Sequence, residues 1–330
     1  NGVIVINTKR GRLGKKTAVS INSNITFSGK PDLFVAPNMS VNDYIEVERF
    51  LFDKGYYNSQ ISNTSSRPAL SPVVEILLQL RNGEISSEQA ETAINELKTY
   101  DVRNDYKKYL FRKTAFVQRH ALNLSGGGAN NFYYFSIGFD RNLGTYIGDE
   151  FRRITTNINN TYISDNKKLK ITTGLLYSHT RTIDNSLVPQ FASSSTLYPY
   201  ARLADSEGNP LPIDRYRKGY IDTAGGGLLL DWTYRPLEEL GLQDDKKDVN
   251  DYRINFGINY SLFSDFSVEL KYQYGKGTSR EENNQSVEQF STRDYINQFT
   301  SIDRQTGNVI RPIPPAGIVD FSDGNYEVHF

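Results

Sequence analysis

The chain has 330 residues, and its 38 Lys and Arg balance its 38 Asp and Glu, so no net charge points to a nucleic acid or an acidic partner. It contains no cysteine, which excludes disulfides and thiolate metal sites, and its 12% aromatic content is too high for a disordered chain. No apolar run approaches the length of about 18 residues that a transmembrane helix needs.

The sequence begins at Asn1 without a Met or a signal peptide and enters an apolar run, Val3–Ile6, at once. We therefore expect the 330 residues to be an excerpt from a longer protein. A strand with alternating apolar and polar residues is predicted over 19–27.

Helices are predicted between residues 40 and 112. Ser40 with Asp43 and Ser86 with Gln89 have the spacing of a capping box. Ser71 followed by a proline is a typical helix start. The apolar residues after each start recur at helical spacing. The segment 28–113 is therefore predicted to be a partly helical insertion between two strands.

Period-two alternation dominates the rest of the sequence. Over 252–262 the even positions are apolar and the odd positions polar, and the pattern resumes over 266–274 after a short turn at Ser264–Asp265. Further alternating segments lie at 133–139, 154–162 and 169–177. These runs are close to the length of about 9–11 residues with which a strand crosses a membrane.

Two kinds of protein show such alternation. A soluble antiparallel sheet buries its apolar face against another layer, whereas an outer-membrane barrel turns that face to lipid. The sequence predicts a mainly β fold and favours part of a large antiparallel transmembrane β-barrel with a partly helical extracellular insertion. The soluble sheet remains the alternative.

The segment 183–250 is polar and rich in turn residues, which predicts a long outer loop, and the tail 276–330 is similar. Aromatic side chains crowd the loop and are candidate substrate-binding residues, because such rings stack on sugars and peptides. Packing of the loop onto itself is the alternative. The candidates are Tyr198, Tyr200, Tyr216, Tyr220, Trp232 and Tyr234.

Residues for catalysis, cofactors or metals are not indicated. Gly126–Gly128 precede a strand pattern rather than a helix, so they predict a hairpin turn and not a phosphate loop. His120, His179 and His329 lie far apart, which favours ordinary strand histidines over a metal site. The acidic run 244–251 is interleaved with lysines, which favours a solvated loop over a calcium site.

Several segments resemble the SusC/RagA-type TonB-dependent transporters of Gram-negative bacteria. Asn1–Gly11 is similar to the strand that closes the plug domain of that family. Asp43–Tyr44 resembles the helix after the first barrel strand, and Gln118–Gly127 resembles the segment before the next hairpin. Tyr198–Pro199–Tyr200 is also similar to a family segment, and the order of these segments extends over most of 1–275.

The resemblance implies that 1–11 is the last strand of the plug and that 12–330 is the N-terminal portion of a TonB-dependent β-barrel. It implies TonB-dependent uptake of oligosaccharides or peptides across the outer membrane, without enzymatic activity or a cofactor. The implied partners are a SusD-like surface lipoprotein, TonB, outer-membrane lipid and the substrate. A soluble β-rich carbohydrate-binding domain or adhesin, or an accessory domain of a hydrolase, is the alternative function.

Overall fold

A computed structural model of the chain describes residues 11–186, 197–263, 265–303, 305–310, 318–319, 325–326 and 328–329. The predicted plug strand 1–11 lies outside the described residues except for Gly11.

Seven long strands form an antiparallel sheet in which neighbours along the chain are neighbours in space. They are β1 (Ala18–Ser28), β2 (Ala115–Gly127), β3 (Asn131–Leu143), β4 (Glu150–Ile163), β5 (Leu169–Ile183), β6 (Gln243–Phe263) and β7 (Phe266–Ser286). Five two-residue strands follow: β8 (Ser301–Ile302), β9 (Val309–Ile310), β10 (Ile318–Val319), β11 (Asn325–Tyr326) and β12 (Val328–His329). Strand β11 pairs with β7, so the sheet has eight strands with β1 and β11 at its edges.

Most of the helical residues lie between β1 and β2. The helices there are α1 (Val41–Asp53), α2 (Asn58–Ser62), α3 (Pro72–Arg81), α4 (Ser87–Leu97) and α5 (Val102–Asp105), and a π-helical turn follows at Tyr106–Leu110. Later in the chain come α6 (Lys218–Ile221), a 3₁₀ turn at Ala224–Gly227, α7 (Pro236–Glu239) and α8 (Phe290–Gln298). Among the residues that the structure describes, no helix combines the length and apolarity that would let it cross a membrane.

The three predicted helix starts are confirmed. The Ser40 hydroxyl accepts a hydrogen bond from the amide of Asp43 at the start of α1. The Ser71 hydroxyl caps α3, whose first position is the predicted proline. At α4 both halves of the capping box form, because Gln89 also accepts a hydrogen bond from the amide of Ser86 at 2.8 Å. Each cap satisfies amides that the first helical turn leaves without partners.

The register gives the long strands two different faces, because residues directly opposite each other lie on the same side of a sheet. Ile137 pairs with Leu122, and Ile254 pairs with both Leu175 and Tyr274, so these residues share one side. This side is the apolar face, and many of its residues are exposed in the chain, among them Ile21 at 75% and Leu270 at 63%. The opposite side, the polar face, carries Asn, Ser, Thr and Gly, and the predicted mainly β antiparallel fold is confirmed.

Three short turns connect the strands at one end of the sheet. Gly126 and Gly127 are the last residues of β2, and Gly128 begins the turn to β3, where its amide donates to the carbonyl oxygen of Asn131 at 2.8 Å. This confirms a hairpin in place of a phosphate loop. The opposite end, which we call the long-loop end, carries the insertion after β1, the segment 144–149 and the described residues 184–186 and 197–242.

The predicted boundaries of the long loop were wrong at its C-terminal side. The loop was expected over 183–250, but β6 begins at Gln243. The acidic run 244–251 pairs with β7, and residues 246–251 also pair with β5. The tail 276–330 was expected to lack regular structure, yet β7 continues to Ser286 and α8 follows. In these parts both faces of the sheet carry charged residues, so the apolar alternation that would mark a strand is absent.

The buried core lies at the long-loop end and joins the insertion to the later loop. One cluster consists of Ile45, Val73, Ile94 and Tyr200, each at most 1% exposed. A second brings Val102, Tyr106, Leu110 and Phe111 together with Ala201, Leu203 and Ile213. Residues 197–213 therefore hold the helices of the insertion against the rest of the long-loop end.

Candidate functional site

The six aromatic candidates of the long loop separate into two groups. Tyr216, Tyr220 and Trp232 line one cavity. Tyr198, Tyr200 and Tyr234 are packed among other side chains. Self-packing therefore describes three of the six rings, and substrate binding by the other three stays a prediction.

Tyr198 and Tyr200 fix the insertion. Their rings stack with centroids 4.6 Å apart, and Tyr200 is 1% exposed. The Tyr200 hydroxyl donates to the Glu48 carboxylate at 2.6 Å. Burial raises the pKa of Glu48 above its usual range, against the lowering effect of hydrogen bonds from Ser71 and Tyr200. This pair links α1 to the later loop.

Tyr234 packs in the second cluster. Its ring centroid lies 5.2 Å from that of Phe290, and the Arg215 guanidinium lies 4.3 Å from the Tyr234 centroid. Burial raises the pKa of Tyr234 above its usual range. The residue holds the loop against the start of α8.

The remaining three rings form a continuous aromatic wall. The Trp232 centroid lies 5.4 Å from that of Tyr216 and 5.7 Å from that of Tyr220, with tilted planes in both pairs. The Arg67 guanidinium lies 4.2 Å from the Tyr220 centroid, within reach of a cation–π interaction. We call this set the aromatic cavity; its volume is about 1270 Å³.

Asp294 on α8 orients two of these rings. Its Oδ1 accepts hydrogen bonds from Trp232 Nε1 at 3.0 Å and from the Tyr216 hydroxyl at 2.7 Å. Its Oδ2 accepts from Gln298 Nε2 at 3.0 Å. Burial, followed by the hydrogen bond to Asp294, raises the pKa of Tyr216 to about 12. Tyr216 therefore stays protonated at neutral pH and remains a donor.

Two backbone features form the edges of the cavity. Arg67 has φ of +44°, a left-handed conformation that is uncommon for a residue other than glycine and recurs at ligand sites. Gly225 has φ of +67°, and a Cβ there would lie 2.5 Å from Leu229 Cγ. The chain at this edge therefore requires glycine.

Asn297, one turn after Asp294, fixes the neighbouring backbone. Its side-chain amide donates to the carbonyl oxygen of Leu230 and accepts from the Leu230 amide, both at 2.9 Å. The wall of the aromatic cavity is thus held by hydrogen bonds, with Tyr216 and Tyr220 half-buried and Trp232 8% exposed. Such a wall stacks on sugar rings or on planar side chains of a peptide. The Asp294 carboxylate is occupied by donors, so the arrangement suits binding rather than proton transfer.

A second, smaller concavity lies on the polar face. It has a volume of about 390 Å³ and is lined by amide, hydroxyl and charged side chains, including Asn159, Asn255, Asn259, Lys170 and Lys271. Gly174 and Gly257 line it as well, and a Cβ on Gly257 would lie 2.5 Å from Thr172 Oγ1. This surface offers hydrogen bonds without an aromatic wall.

The predicted histidines and acidic run have structural partners. His120 bonds Ser23 Oγ at 2.9 Å and His179 bonds Asn250 Oδ1 at 2.9 Å, while His329 belongs to β12. Residues 244–251 form part of β6 rather than a loop, which corrects that expectation. In the described part of the chain, no group of three or more His, Cys, Asp or Glu side chains is arranged to hold a metal.

Sequence reasoning missed Arg67, Asp294 and Gln298 as partners of the aromatic wall. Arg67 precedes the wall in the sequence by about 150 positions, and Asp294 follows Trp232 by 62. The one available signal was Asp294, Asn297 and Gln298 at helical i, i+3, i+4 spacing, which places them on one face of α8.

No protein-family model matches the chain. Among curated proteins, the TonB-dependent receptor SusC of Bacteroides thetaiotaomicron is 23% identical over 297 residues, which cover 84% of this chain and 25% of SusC.

Solved structures of the RagAB peptide importer have a similar fold. The "closed-closed" state gives a TM-score of 0.55 at 14% identity, and another RagAB peptide transporter structure gives 0.56 at 15% identity. Each match covers 84% of this chain and 30% of the matched chain. The chain thus spans about a quarter to a third of the length of these relatives. In sequence the chain is thus similar to part of the TonB-dependent receptor SusC, and in fold it is similar to part of the RagAB importer, which together make it similar to a portion of a SusC/RagA-type TonB-dependent transporter.

Proposed function

We propose that the chain is part of the barrel of an outer-membrane importer that takes up oligosaccharides or peptides with energy transmitted by TonB. The observation that carries this proposal is the apolar face of β1–β7. SusC and the RagAB importers, which the chain resembles, are named as a receptor and as peptide importers, which supports transport rather than catalysis.

The apolar face lacks a covering layer among the described residues. Ile21 is 75% exposed, Leu270 63% and Tyr272 60%, and the buried clusters lie at the long-loop end. A soluble sheet would bury such a face against a second layer. Contact with lipid accounts for the exposure of these side chains and for the polar opposite face, as in an outer-membrane barrel. The soluble carbohydrate-binding or adhesin alternative is therefore disfavoured.

The long-loop end faces outward in this proposal, and the insertion at 28–113 contacts a SusD-like lipoprotein. The insertion carries exposed apolar side chains suited to such a contact, among them Val35 at 77% and Phe50 at 60% exposure. We assign residues 1–11, from their sequence alone, to the end of a plug domain that TonB displaces.

The aromatic cavity contacts the imported ligand. Tyr216, Tyr220 and Trp232 provide ring faces for stacking, and Arg67 adds a cation at the edge. These features accommodate either a glycan or a peptide. The growth test below distinguishes these two classes of ligand.

Deletion of the gene in its native host tests the function. We expect the wild-type protein in the outer-membrane fraction, extractable only with detergent, and the deletion strain to grow poorly on oligosaccharides or on peptides as the limiting nutrient. Complementation by the wild-type gene is the control. Recovery of the protein as a soluble monomer without detergent would contradict the proposal.

A further inference from the structure

Three arginines lie side by side on the apolar side of the sheet at its long-loop end. In the register Arg141 of β3 is directly opposite Arg152 of β4, and Arg152 is directly opposite Arg181 of β5. We call these residues the arginine row. Directly opposed residues of an antiparallel pair have Cβ atoms about 5 Å apart, and like charges in that position are destabilising.

The polar side of the same strands has the opposite arrangement. Asp140 is directly opposite both Arg119 and Arg153 there. The Arg153 guanidinium bonds the Asp140 carboxylate at 2.6 Å. The polar side thus pairs opposite charges, whereas the apolar side places like charges opposite each other at the adjacent positions of β3 and β4.

Glu150 compensates the arginine row only in part. Its Oε1 accepts from the Nε atoms of both Arg141 and Arg152 at 2.6 Å, and its side chain is 14% exposed. Both Nη groups of Arg141 and one Nη of Arg152 have no hydrogen-bond partner within the part of the chain that the structure describes. One carboxylate therefore serves two guanidinium groups and holds them close together.

Arg181 has no ion pair among the described residues, although Asp248 is directly opposite it. The Asp248 carboxylate lies 3.7 Å from His179 Nε2 instead. The Arg181 side chain is exposed. Among the described residues, Glu150 and Asp248 face three arginines, and Asp244, which also interacts electrostatically with Arg181, is paired with Lys246. The row therefore presents an excess of positive charge, with Nη donors of Arg141 and Arg152 that bond no described residue.

The row lies at the boundary of the apolar face. Phe139 precedes Arg141 by two residues on β3, and Ile154 follows Arg152 by two residues on β4, so each shares the side of its arginine. Phe139 and Ile154 are directly opposite each other and are both exposed. An arginine at this height next to a bilayer lies where lipid headgroups begin.

We propose that Arg141, Arg152 and Arg181 bind a phosphate group on the headgroup of an outer-leaflet glycolipid. Guanidinium groups bind phosphate through paired charge-assisted hydrogen bonds, and an anion between the three arginines neutralises the repulsion of the row. This inference rests on the proposed function, because it requires the apolar face to contact the membrane.

The test uses the transporter purified from its outer membrane in mild detergent. Native mass spectrometry measures binding of diphosphorylated lipid A, and the same lipid after removal of its phosphates is the comparison. We expect the wild-type protein to bind the phosphorylated lipid more tightly. The triple variant Arg141→Gln, Arg152→Gln, Arg181→Gln should lose that preference, with affinity falling roughly fivefold for each arginine removed.

The matched control changes arginines of the polar side, Arg119→Gln with Arg153→Gln, and should bind both lipids as the wild type does. Equal binding of both lipids by the wild type, or an unchanged preference in the triple variant, would overturn the inference. Displacement of the lipid by low concentrations of inorganic phosphate would also overturn it, since the site would then bind free phosphate.

Membrane fractionation of the same preparations separates the two proposals. A protein that resides in the outer membrane yet shows no preference for the phosphorylated lipid overturns only the phosphate site. A protein absent from that membrane overturns the proposed function. Correct insertion of the triple variant, seen in its outer-membrane yield, shows that lost binding does not reflect misfolding.

Discussion

The indole Nε1 of Trp232 donates a 3.0 Å hydrogen bond to Oδ1 of Asp294, which lies 62 positions later in the chain. The same oxygen accepts from Tyr216, so one carboxylate on α8 sets the position of two rings of the aromatic cavity. Arg67 of the insertion packs on Tyr220 of the later loop. The wall is thus formed by three distant segments: the insertion, the later loop and α8.

Replacement of Asp294 should loosen the aromatic cavity. Asp294→Ala removes the acceptor of three hydrogen bonds and should destabilise the local packing by about 1–3 kcal/mol. We expect faster hydrogen exchange of residues 213–234, measured by mass spectrometry on the purified transporter. Ser291→Ala on the same helix is the control, and equal exchange in both variants would contradict the role of Asp294.

Loss of the Trp232 ring should weaken ligand binding. Trp232→Ala removes the central ring of the wall, and a lost stacking contact costs about 1 kcal/mol, or roughly a fivefold increase in Kd. Isothermal titration with the oligosaccharide or peptide found in the growth test measures this change. Trp232→Phe should keep part of the affinity, and Tyr295→Ala, outside the cavity lining, should keep all of it. An unchanged Kd in Trp232→Ala would show that the aromatic cavity does not bind the ligand.

The insertion should be less stable at higher pH because of Glu48. Burial raises the pKa of this carboxyl above its usual 4.5, so the folded state holds the proton more tightly than the unfolded state. The stabilisation is complete below pH 4.5 and is lost as the pH rises through the raised pKa. Glu48→Gln keeps an acceptor for Tyr200 and cannot ionise.

Hydrogen exchange of α1, corrected for the intrinsic pH dependence of exchange, checks the Glu48 prediction. In the wild type, the free energy of local opening should fall as the pH rises from 4.5 through the raised pKa of Glu48, whereas in Glu48→Gln it should change little. Equal slopes in the two proteins would show that Glu48 is not the responsible group.

A charge in the middle of the apolar face should impair assembly. Leu270 on β7 is 63% exposed and is directly opposite Ile258. Arginine at a lipid-facing position near the bilayer midplane costs about 2–4 kcal/mol. We expect Leu270→Arg to lower the yield of folded protein in the outer membrane, judged by its electrophoretic mobility without heating. Gln273→Arg on the polar face should have little effect; equal losses would argue against lipid contact.

The strands with an apolar alternation could be predicted from the sequence because one face meets a different environment from the other. Over 252–262 and 266–274 the even positions are apolar and the odd positions are polar, which reflects this difference. Where both faces carry charge, as at Lys246 and Lys247 of β6, the alternation disappears and the strand was mistaken for a loop. Helix starts were predictable because Ser71 and Ser86 cap their helices through local hydrogen bonds.

The aromatic cavity could be predicted only in part. The density of rings indicated Tyr216, Tyr220 and Trp232, but also Tyr198 and Tyr200, whose role is packing. The distinction depends on Glu48 and Asp294, which lie far from the rings in sequence, and no local pattern encodes that contact.

The side of β7 that meets lipid can be measured directly by a cysteine scan over residues 266–274. None of the 330 residues is a cysteine, so each introduced cysteine is unique within this chain and can carry a nitroxide spin label. In the membrane-embedded transporter, labels at 266, 268, 270, 272 and 274 should be accessible to oxygen. Labels at 267, 269, 271 and 273 should be accessible to a water-soluble nickel reagent or be shielded from both. Accessibility without a period of two, or with the two sets reversed, would contradict the account of the apolar face.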